Sequence, residues 1–380
     1  MKIVIAPDSF KESLSAPDVA RAIARGVHQA IPNASTICLP MADGGEGTVE
    51  AVLGATNAER RTRNVQNANG DPITANWALL EDGTAVIEMA AAAGLEHIPR
   101  DQRNPLNASS YGVGELILDA LNAGAKRLVL GLGGSATNDA GAGMMQALGL
   151  RMLDQQDVPL EPGGAALARC HRIDTSGLDP RLATLDVTIA SDVNNPLCGP
   201  TGASAVFGPQ KGASPDQVRQ LDQALACFAN ACQVAQGKDV RDLPGSGAAG
   251  GVGFAAHAFM NTRFRPGVEV IADISGLADA LQGAALVITG EGKMDAQTLH
   301  GKTPMGVAKI ASAAGVPVIA IAGSLGPGYQ ALYGVGIAAA FSITSGPMTL
   351  DDACKQAATL LEHRASDIMR VWLAARHHVI

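Results

Sequence analysis

The feature that most constrains the fold is a series of short apolar runs, each followed by a loop rich in Gly or Asp. Apolarity within each run is continuous rather than alternating, which is typical of strands covered on both faces. Because most of these runs are followed by helical patterns, they predict an α/β fold with a Rossmann-like, largely parallel, doubly wound sheet. The runs are residues 2–6, 36–39, 127–132, 186–190, 285–289, 316–322 and 337–343.

Composition agrees with this fold and excludes other classes of protein. Apolar residues make up 47% of the 380-residue chain, so a large core can form. The 44 glycines suit tight strand-to-helix turns. A formal net charge of −8 argues against a nucleic-acid partner. Since no run reaches the ~18 apolar residues of a membrane span and no signal-peptide core is found, we expect a cytoplasmic protein without a membrane partner.

The cysteines and histidines give no sign of a metal site or of disulfides. The six cysteines form no C-x-x-C pair, and the eight histidines include no H-E-x-x-H motif. Free cysteine packs as a small apolar residue. We therefore expect the cysteines to be reduced and mostly buried.

One block departs from the rhythm of strand and helix. Residues 59–88 have strand-like patterns separated by two turn sequences, which predicts an antiparallel meander. We therefore expect two domains. Residues 1–60 and 283–380 would form a discontinuous Rossmann-like domain, interrupted by an inserted α/β domain over residues 61–282. A single sheet holding all seven strands is the alternative that the pattern leaves open.

Two helices are predicted from their ends. Ser15 followed by Pro17 and Asp18 is typical of a helix N-terminus, and the amphipathic pattern continues through Ala30. Acidic residues near 351 and basic residues near 376 predict one last helix between them.

The candidate chemistry lies in the loops that follow strands, because ligands of open parallel sheets bind outside the carboxyl ends of the strands. A single Asp in such a position is usually a helix cap. Here five loops combine carboxylates with small residues, and two of them also hold Lys. Carboxylate oxygens suit Mg²⁺, backbone amides suit phosphate, and lysines neutralise charge. These loops are residues 8–13, 43–48, 131–139, 191–195 and 290–295.

One loop approaches the dinucleotide-binding fingerprint. Gly131-x-Gly133-x-x-Ala136 follows a strand and precedes a predicted helix, and Asp154 lies 18 residues beyond Ala136. Against this interpretation, residues 137–139 are polar and place a carboxylate where a pyrophosphate would dock.

A second segment approaches the Walker A motif. Residues 296–303 match it with Ala in place of the first Gly. A P-loop follows its strand directly, whereas the strand here is expected to end near Gly290. We therefore disfavour a P-loop, although residues 301–303 are candidates for phosphate binding in another geometry, with Pro304 early in the next helix.

Two further Gly-rich segments leave alternatives open. Residues 245–253 predict either a flexible loop with close helix packing or a ligand contact. Residues 199–211 predict a long irregular segment, which in a compact domain is typical of an active-site loop.

Six segments, in order along nearly the whole chain, resemble the bacterial glycerate kinase family of the type that lacks a P-loop. The resemblance implies an ATP-dependent phosphotransferase with an alcohol group of D-glycerate as acceptor, and favours 2-phosphoglycerate over 3-phosphoglycerate as product. It also implies Mg²⁺ and a Rossmann-like domain interrupted by a second domain. The segments are residues 8–13 (DSFKES), 43–48 (DGGEGT), 131–143 (GLGGSATNDAGAG), 191–196 (SDVNNP), 245–253 (GSGAAGGVG) and 289–302 (TGEGKMDAQTLHGK).

Residue roles on these motifs are hypotheses from phosphoryl-transfer chemistry, which requires positioning and charge neutralisation. Asp192 is the candidate base for the attacking hydroxyl, with an Asp that only fixes its own loop as the alternative. Lys293 is expected to neutralise phosphoryl charge, and Lys302 is held in reserve.

The remaining roles concern phosphate, substrate and metal. Backbone amides of residues 133–135 (Gly133, Gly134 and Ser135), at a predicted helix N-terminus, are expected to bind ATP phosphate. Ser9 and Lys11 are candidates for the glycerate carboxylate, although Lys11 could equally be a solvated surface lysine. Asp43 and Asp295 are candidate Mg²⁺ ligands.

Two rival functions stay open at this point. One is an NAD-dependent dehydrogenase of a small hydroxy acid, and the other is a two-lobed sugar-acid sensor without catalysis. A homo-oligomer also stays open.

Overall fold

The computed structural model describes residues 1–299 and 301–377. Its strands are β1 (Lys2–Ile5), β2 (Ser35–Cys38), β3 (Glu59–Gln66), β4 (Pro72–Leu79), β5 (Thr84–Glu88), β6 (Arg127–Gly131), β7 (Arg151–Leu153), β8 (Arg172–Asp174), β9 (Asp186–Ala190), β10 (Asn261–Arg265), β11 (Leu286–Met294), β12 (Val318–Leu325) and β13 (Ile337–Ser342).

The α-helices are α1 (Ala16–Ala30), α2 (Thr48–Ala55), α3 (Met89–Ala93), α4 (Tyr111–Asn122), α5 (Ala142–Ala147), α6 (Ala203–Phe207), α7 (Pro215–Gln236), α8 (Val252–Phe259), α9 (Gly267–Ser275), α10 (Leu277–Ala280), α11 (Thr303–Ala313), α12 (Leu350–Lys355) and α13 (Ala357–His377). Short 3₁₀ turns cover Leu95–His97, Arg100–Gln102, Gly164–Arg169, Pro180–Ala183, Pro209–Lys211, Ala248–Gly251, Ala296–Leu299 and Tyr329–Val335.

The chain divides into two units. The first unit holds Met1–Asp43, Glu50–Asn57 and the chain from Val268 onward, and the second holds Gly44–Val49 and Ala58–Gly267. The domain boundaries expected near residues 60 and 283 stay a prediction.

The first unit is built on a parallel five-stranded sheet in the order β13-β12-β11-β1-β2. Its buried core includes Ile5 of β1 and Ile288 of β11, with helices α1 and α13 packed against it. The chain leaves β1 toward β2 on one side, whereas it leaves β11 toward β12 on the other. The carboxyl ends of β1 and β11 therefore form a topological switch point, where open α/β sheets bind ligands.

Strand β11 is longer than the sequence predicts. Lys293 and Met294 still pair with Ser324 and Leu325 of β12, so the strand does not end near Gly290. The expectation that residues 291–295 form a loop after the strand is therefore wrong for 291–294. Residues 291–294 lack the continuous apolarity that predicts a strand. They are a strand because they pair with β12.

The second unit contains a six-stranded sheet in the order β10-β9-β6-β5-β4-β3. Strands β10, β9, β6 and β5 are parallel, whereas β3, β4 and β5 form the predicted antiparallel meander, which is confirmed. The alternative of one sheet with all seven predicted strands is wrong, because β6 and β9 belong to this sheet whereas the other five belong to the sheet of the first unit. Strands β7 and β8 form a separate antiparallel ribbon.

The predicted α/β class with largely parallel strands is confirmed. The predicted start of α1 is also confirmed, since the Ser15 hydroxyl accepts a hydrogen bond from the Asp18 amide. The single last helix is wrong. Thr349 caps α12, the backbone at Gln356 leaves helical geometry (φ −101°, ψ 4°), and α13 begins anew at Ala357.

Cysteine burial differs from the expectation. Cys170 and Cys232 are buried, and the other four thiols are only half-buried. Within residues 1–299 and 301–377, no helix is both long and apolar enough to cross a membrane.

Candidate functional site

In the first unit, Asp8 lies at the switch point just beyond β1. Its backbone amide donates to the carbonyl of Gly290 in β11 at 2.8 Å, which holds the chain against the neighbouring strand. Its carboxylate accepts a hydrogen bond from the Ser9 amide at 2.6 Å and another from the Thr303 hydroxyl. Thr303 is the first residue of α11, so the carboxylate is fixed between a strand end and a helix start.

Glu291 lies in the adjacent strand β11 and is 8% exposed. One carboxylate oxygen accepts from the Thr298 hydroxyl at 2.7 Å, and the other lies 3.2 Å from the Lys302 ammonium. Burial raises the pKa of Glu291, while Thr298 and Lys302 lower it. Lys302, the second lysine predicted to neutralise phosphoryl charge, directly precedes α11 and forms an ion pair with this buried acid.

Three carboxylates influence one another at this switch point. Burial raises the pKa of Asp8 to about 7, and the charges of Asp43 and Glu291 raise it as well, against the opposing hydrogen bonds of Thr303 and Ser9. Asp43 also raises the pKa of Glu291. The crevice therefore concentrates negative charge and oxygen ligands.

These carboxylates do not make a closed metal cage. Within the described parts of the chain, no group of three His, Cys, Asp or Glu side chains is arranged to hold a metal ion. Mg²⁺ in phosphate-handling proteins usually takes only one or two protein carboxylates, and water and phosphate oxygens complete its shell. One or two carboxylates from Asp8, Asp43 and Glu291 would be enough for an ion that arrives with a phosphate ligand.

Lys293 and Asp295, two further predicted residues, form an ion pair at 3.4 Å. The amide of Gln297 donates to Asp295 at 2.9 Å and, with Lys293, lowers the pKa of that carboxyl. Asp295 thus fixes its own 3₁₀ turn, and the Lys293 side chain is 65% exposed at its edge. Of the predicted substrate-binding pair, Ser9 is half-buried beside Asp8 and Lys11 is exposed.

The near-Walker segment follows β11 more closely than expected, because residues 291–294 belong to the strand. Residues 296–299 nevertheless form a 3₁₀ turn, and α11 starts only at Thr303 with Lys302 as its N-cap. Pro304 lies in the first turn of α11, as predicted.

In the second unit, the Gly-rich loop after β6 is not at a helix N-terminus. Helix α5 begins only at Ala142, so the predicted position of residues 133–135 at a helix start is wrong. The reason is Asp139, whose buried carboxylate accepts hydrogen bonds from the amide and hydroxyl of Ser110, both at 2.8 Å, and from the amides of Gly141 and Gly143 at 3.1 and 3.2 Å. Burial raises the pKa of Asp139.

Asp139 also weakens the dinucleotide interpretation. In that motif a helix opens directly after the glycines and leaves its amides to a pyrophosphate. Asp154, the candidate ribose ligand, follows β7 of the separate ribbon rather than the next parallel strand. Its carboxylate accepts hydrogen bonds from the amides of Gln156 and Val158 in its own turn.

Glycines let two strand-end loops pack backbone against backbone. A Cβ on Gly131 would lie 2.4 Å from the Gly44 carbonyl oxygen, and one on Gly133 would lie 2.5 Å from the Gly45 Cα. The Gly133 amide donates to the Gly44 carbonyl at 3.1 Å. The Gly133 amide could bind phosphate only if this hydrogen bond broke. Gly134 and Ser135 follow it in the chain and do not take part in this bond.

Glu88 fixes the other loop of this pair and was missed by the sequence analysis. Its side chain is buried at the end of β5. The carboxylate accepts hydrogen bonds from the amides of Gly47, at 3.2 Å, and Val49. An acid at the carboxyl end of a strand was the available signal.

Lys211 was also missed. Residues 199–211 are not an irregular loop, since they contain α6 and a 3₁₀ turn that ends in Lys211. The Lys211 ammonium donates to the Ser135 hydroxyl at 2.9 Å and to the Thr137 carbonyl at 2.6 Å. Burial lowers the pKa of Lys211 to about 7, and the charge of Asp139 opposes this shift.

Residues 245–253 are a tightly packed segment rather than a flexible loop, whereas the alternative of a ligand contact stays a prediction. A Cβ on Gly250 would lie 2.0 Å from the Thr137 carbonyl oxygen, and residues 248–251 are all buried. This segment therefore packs against the loop after β6 at Thr137 and Asn138.

Asp192 follows β9, the strand next to β6 in the same sheet, and is exposed. The carboxyl ends of β6 and β9 are in register at Gly131 and Ala190. Asp192 and the loop of residues 133–135 thus leave the same edge of the sheet. The predicted site residues divide between the units, with Ser9, Lys11, Asp43, Lys293, Asp295 and Lys302 in the first and Gly133, Gly134, Ser135 and Asp192 in the second.

Comparison with known proteins assigns the family. A sequence model of the glycerate kinase family matches residues 3–373. The chain belongs to the glycerate kinase family. The resemblance found in the strand-end motifs is therefore confirmed.

Relatives within this family match the chain from end to end. It is 51% identical to a protein named glycerate kinase from Bacillus subtilis (strain 168), with 97% of each chain covered. It is 48% identical to a protein named glycerate 2-kinase from Escherichia coli (strain K12), with 94% of each covered. The crystal structure of a candidate glycerate kinase 2 from Salmonella typhimurium LT2 matches with a TM-score of 0.89 at 48% identity and covers 99% of both chains.

Proposed function

We propose that this chain is an ATP-dependent glycerate kinase, which transfers the γ-phosphoryl group of ATP to a hydroxyl of D-glycerate. The proposal rests on the sequence identity of 50% and 51% that the chain shares with two proteins named glycerate kinase, over nearly their full length. The name glycerate 2-kinase of the E. coli relative supports 2-phosphoglycerate as product. We infer a cytoplasmic enzyme with small-molecule partners and no nucleic-acid or membrane partner.

For phosphate, we assign the loop after β6 in the second unit. Gly134 and Ser135 follow the amide of Gly133, which is bonded to Gly44. Gly134 has a positive φ of 74°, and its missing side chain leaves the backbone accessible to an oxyanion. Gly133 contributes the loop shape by its close approach to Gly45. Lys293 and Lys302 are proposed to neutralise phosphoryl charge in the first unit.

Mg²⁺ is proposed to enter as part of the substrate MgATP. Asp43 keeps its predicted role as a ligand, and the mutual repulsion with Asp8 and Glu291 supports a cation at this place. Asp295 stays a candidate ligand, although its ion pair with Lys293 already compensates its charge. Ser9 and Lys11 stay candidates for the glycerate carboxylate.

Two carboxylates are candidates for the base that accepts the proton of the attacking hydroxyl. Asp192 is exposed at the carboxyl end of β9, where a substrate hydroxyl could reach it. Asp8 is the second candidate, because its pKa of about 7 lies near a physiological operating pH, which suits general base catalysis.

An assay with three arms tests the proposed function. Purified protein is incubated with MgATP and D-glycerate, with MgATP and L-glycerate, and with NAD⁺ and D-glycerate. We expect ADP release that depends on D-glycerate and no formation of NADH. NADH formation without ADP would favour the dehydrogenase, and glycerate binding without turnover of either cofactor would favour the sensor.

A further inference from the structure

Lys211 is a buried cation in the second unit that the proposed reaction does not yet use. Its side chain is 1% exposed, and it is among the largest fully buried side chains. Lysine is almost never fully buried unless its charge is paired. Here the ammonium donates to two neutral oxygens, the hydroxyl of Ser135 and the carbonyl of Thr137.

The carboxylate whose charge acts on Lys211 is Asp139. That carboxylate accepts hydrogen bonds from Ser110, Gly141 and Gly143, which hold it in the turn before α5. Lys211 and Asp139 are therefore separate anchors on one loop. Lys211 binds Ser135 and Thr137, and Asp139 binds the backbone amides of the turn that follows.

Burial of an ammonium group is unfavourable, because desolvation penalises its charged form. An apolar side chain of similar length would fill the same volume without this penalty. Perturbed ionisable groups of this kind cluster at functional sites, where geometry or charge compensates the unfavourable burial. Of the two oxygens that Lys211 binds, the Ser135 hydroxyl belongs to the segment expected to bind phosphate, and the Thr137 carbonyl follows it by two residues.

We define residues 134–138 as the strap. Its outer hydrogen bonds run from the Leu95 amide to the Gly134 carbonyl at 2.9 Å and from the Ala136 amide to the Ala93 carbonyl at 2.8 Å. The Asn138 amide group donates to the Ser204 hydroxyl at 2.8 Å. These bonds leave the Ser135 side chain and the Thr137 carbonyl to be oriented by Lys211.

We propose that Lys211 is a positioning residue for nucleotide binding, which fixes Ser135 and Thr137 so that the backbone of Gly134 and Ser135 is preorganised for phosphate. The proposal rests on the proposed function, specifically on ATP binding at the strap. Lys211 acts through the strap and contacts the loop rather than the reacting atoms. Preorganisation of this kind strengthens binding by reducing the ordering that the ligand must impose.

The test compares Lys211→Met, which keeps an unbranched chain and removes the ammonium with both of its hydrogen bonds, with Lys211→Gln, which keeps a donor and removes the charge. Lys126→Met, an exposed lysine of the same unit, is the matched control. Each protein is measured for Tm, for kcat, for KM of ATP and of D-glycerate, and for the rise in Tm caused by MgATP. The parent enzyme must first phosphorylate D-glycerate, so failure of the proposed function is detected separately.

For Lys211→Met we expect KM of ATP to rise by about ten-fold or more, because one to two charge-assisted hydrogen bonds no longer order the strap. KM of D-glycerate should stay within about two-fold of the parent value, since the substitution weakens the binding of ATP only. The rise in Tm caused by MgATP should shrink, because that rise reports ligand affinity. Lys211→Gln should restore part of the ATP affinity, and Lys126→Met should match the parent.

An unchanged KM of ATP in Lys211→Met would overturn the proposal. So would an equal rise of both KM values together with a fall in Tm, since that pattern indicates a purely structural lysine. Should Lys211→Met fail to fold, the same criteria apply to Lys211→Gln. If neither variant folds, Lys211 is required for folding and the positioning role is rejected.

Discussion

The Thr303 hydroxyl donates a hydrogen bond to the Asp8 carboxylate, which joins the end of β1 to the first residue of α11. This bond fixes an acid at the switch point of the parallel sheet, beside Asp43 and Glu291. The negative charges of Asp43 and Glu291 disfavour the ionised form of Asp8. Burial, together with the charges of Asp43 and Glu291, raises the pKa of Asp8 to about 7, so we expect the stability of this unit to depend on pH.

Asp8→Asn is expected to stabilise the protein above pH 7. The carboxyl has a pKa of 3.8 when unperturbed and about 7 in the fold, so between these values the folded state binds more protons than the unfolded state. The free energy of unfolding therefore falls as pH rises through this window. Urea denaturation at pH 4.5, 6 and 8 should show a gain for Asp8→Asn at pH 8 that shrinks toward pH 4.5.

Asp8→Asn should also lower kcat by about 100-fold or more, if Asp8 is the base. The exposed Asp367→Asn, in the same unit, is the control for both measurements. A pH dependence of stability identical to that of the parent would contradict the account of Asp8.

Gly133→Ala is expected to destabilise the second unit. The new methyl group would lie 2.5 Å from the Gly45 Cα, and a backbone atom cannot move aside as a flexible side chain can. Overpacking of this kind costs about 1–3 kcal/mol of unfolding free energy. Urea denaturation measures the loss, and Gly334→Ala, which meets nothing within 4 Å, should cost far less. Equal stability of the two variants would refute the backbone contact.

Glu88→Gln should loosen the loop of residues 44–49. The carboxylate accepts hydrogen bonds from the amides of Gly47 and Val49, and an NH₂ group in place of one oxygen would face a donor. An unsatisfied buried group costs about 1–3 kcal/mol. Hydrogen exchange should show faster exchange of these two amides, whereas Glu81→Gln, an exposed acid in the turn before β5, should leave them unchanged. Unaltered protection in Glu88→Gln would argue against this anchor.

Asp192→Asn and Lys293→Ala separate the two remaining catalytic assignments. Loss of the base should lower kcat of Asp192→Asn by about 100-fold with little change in Tm, because Asp192 is exposed. Loss of the Lys293 charge should raise KM of ATP or lower kcat. A kcat within a few-fold of the parent for Asp192→Asn would leave Asp8 as the base. Unchanged KM of ATP and kcat for Lys293→Ala would refute its phosphate role.

The strands could be predicted from sequence because burial on both faces leaves a local signal, continuous apolarity. Their division into two sheets could not, since strand neighbours are set by contacts between distant residues. Strand β11 shows the limit well. Residues 291–294 are too polar to be predicted as a strand, and β12 alone makes them one.

At the site, local motifs identified the loops but not the contacts that shape them. The Asp139 turn was partly visible, because an Asp followed by Gly two and four residues later is typical of a side chain that accepts backbone hydrogen bonds. Lys211 was not visible. Its partner Ser135 is 76 residues away, and nothing in the local sequence distinguishes it from a surface lysine.

The proposed reaction is the phosphorylation of D-glycerate at carbon 2 with ATP. ³¹P NMR of a reaction of the purified protein with MgATP and D-glycerate tests this most directly. We expect the γ-phosphate signal of ATP to be replaced by the signal of 2-phosphoglycerate, with ADP formed in equal amount. A 3-phosphoglycerate signal would contradict the position of attack, and an unchanged ATP spectrum would contradict the kinase itself.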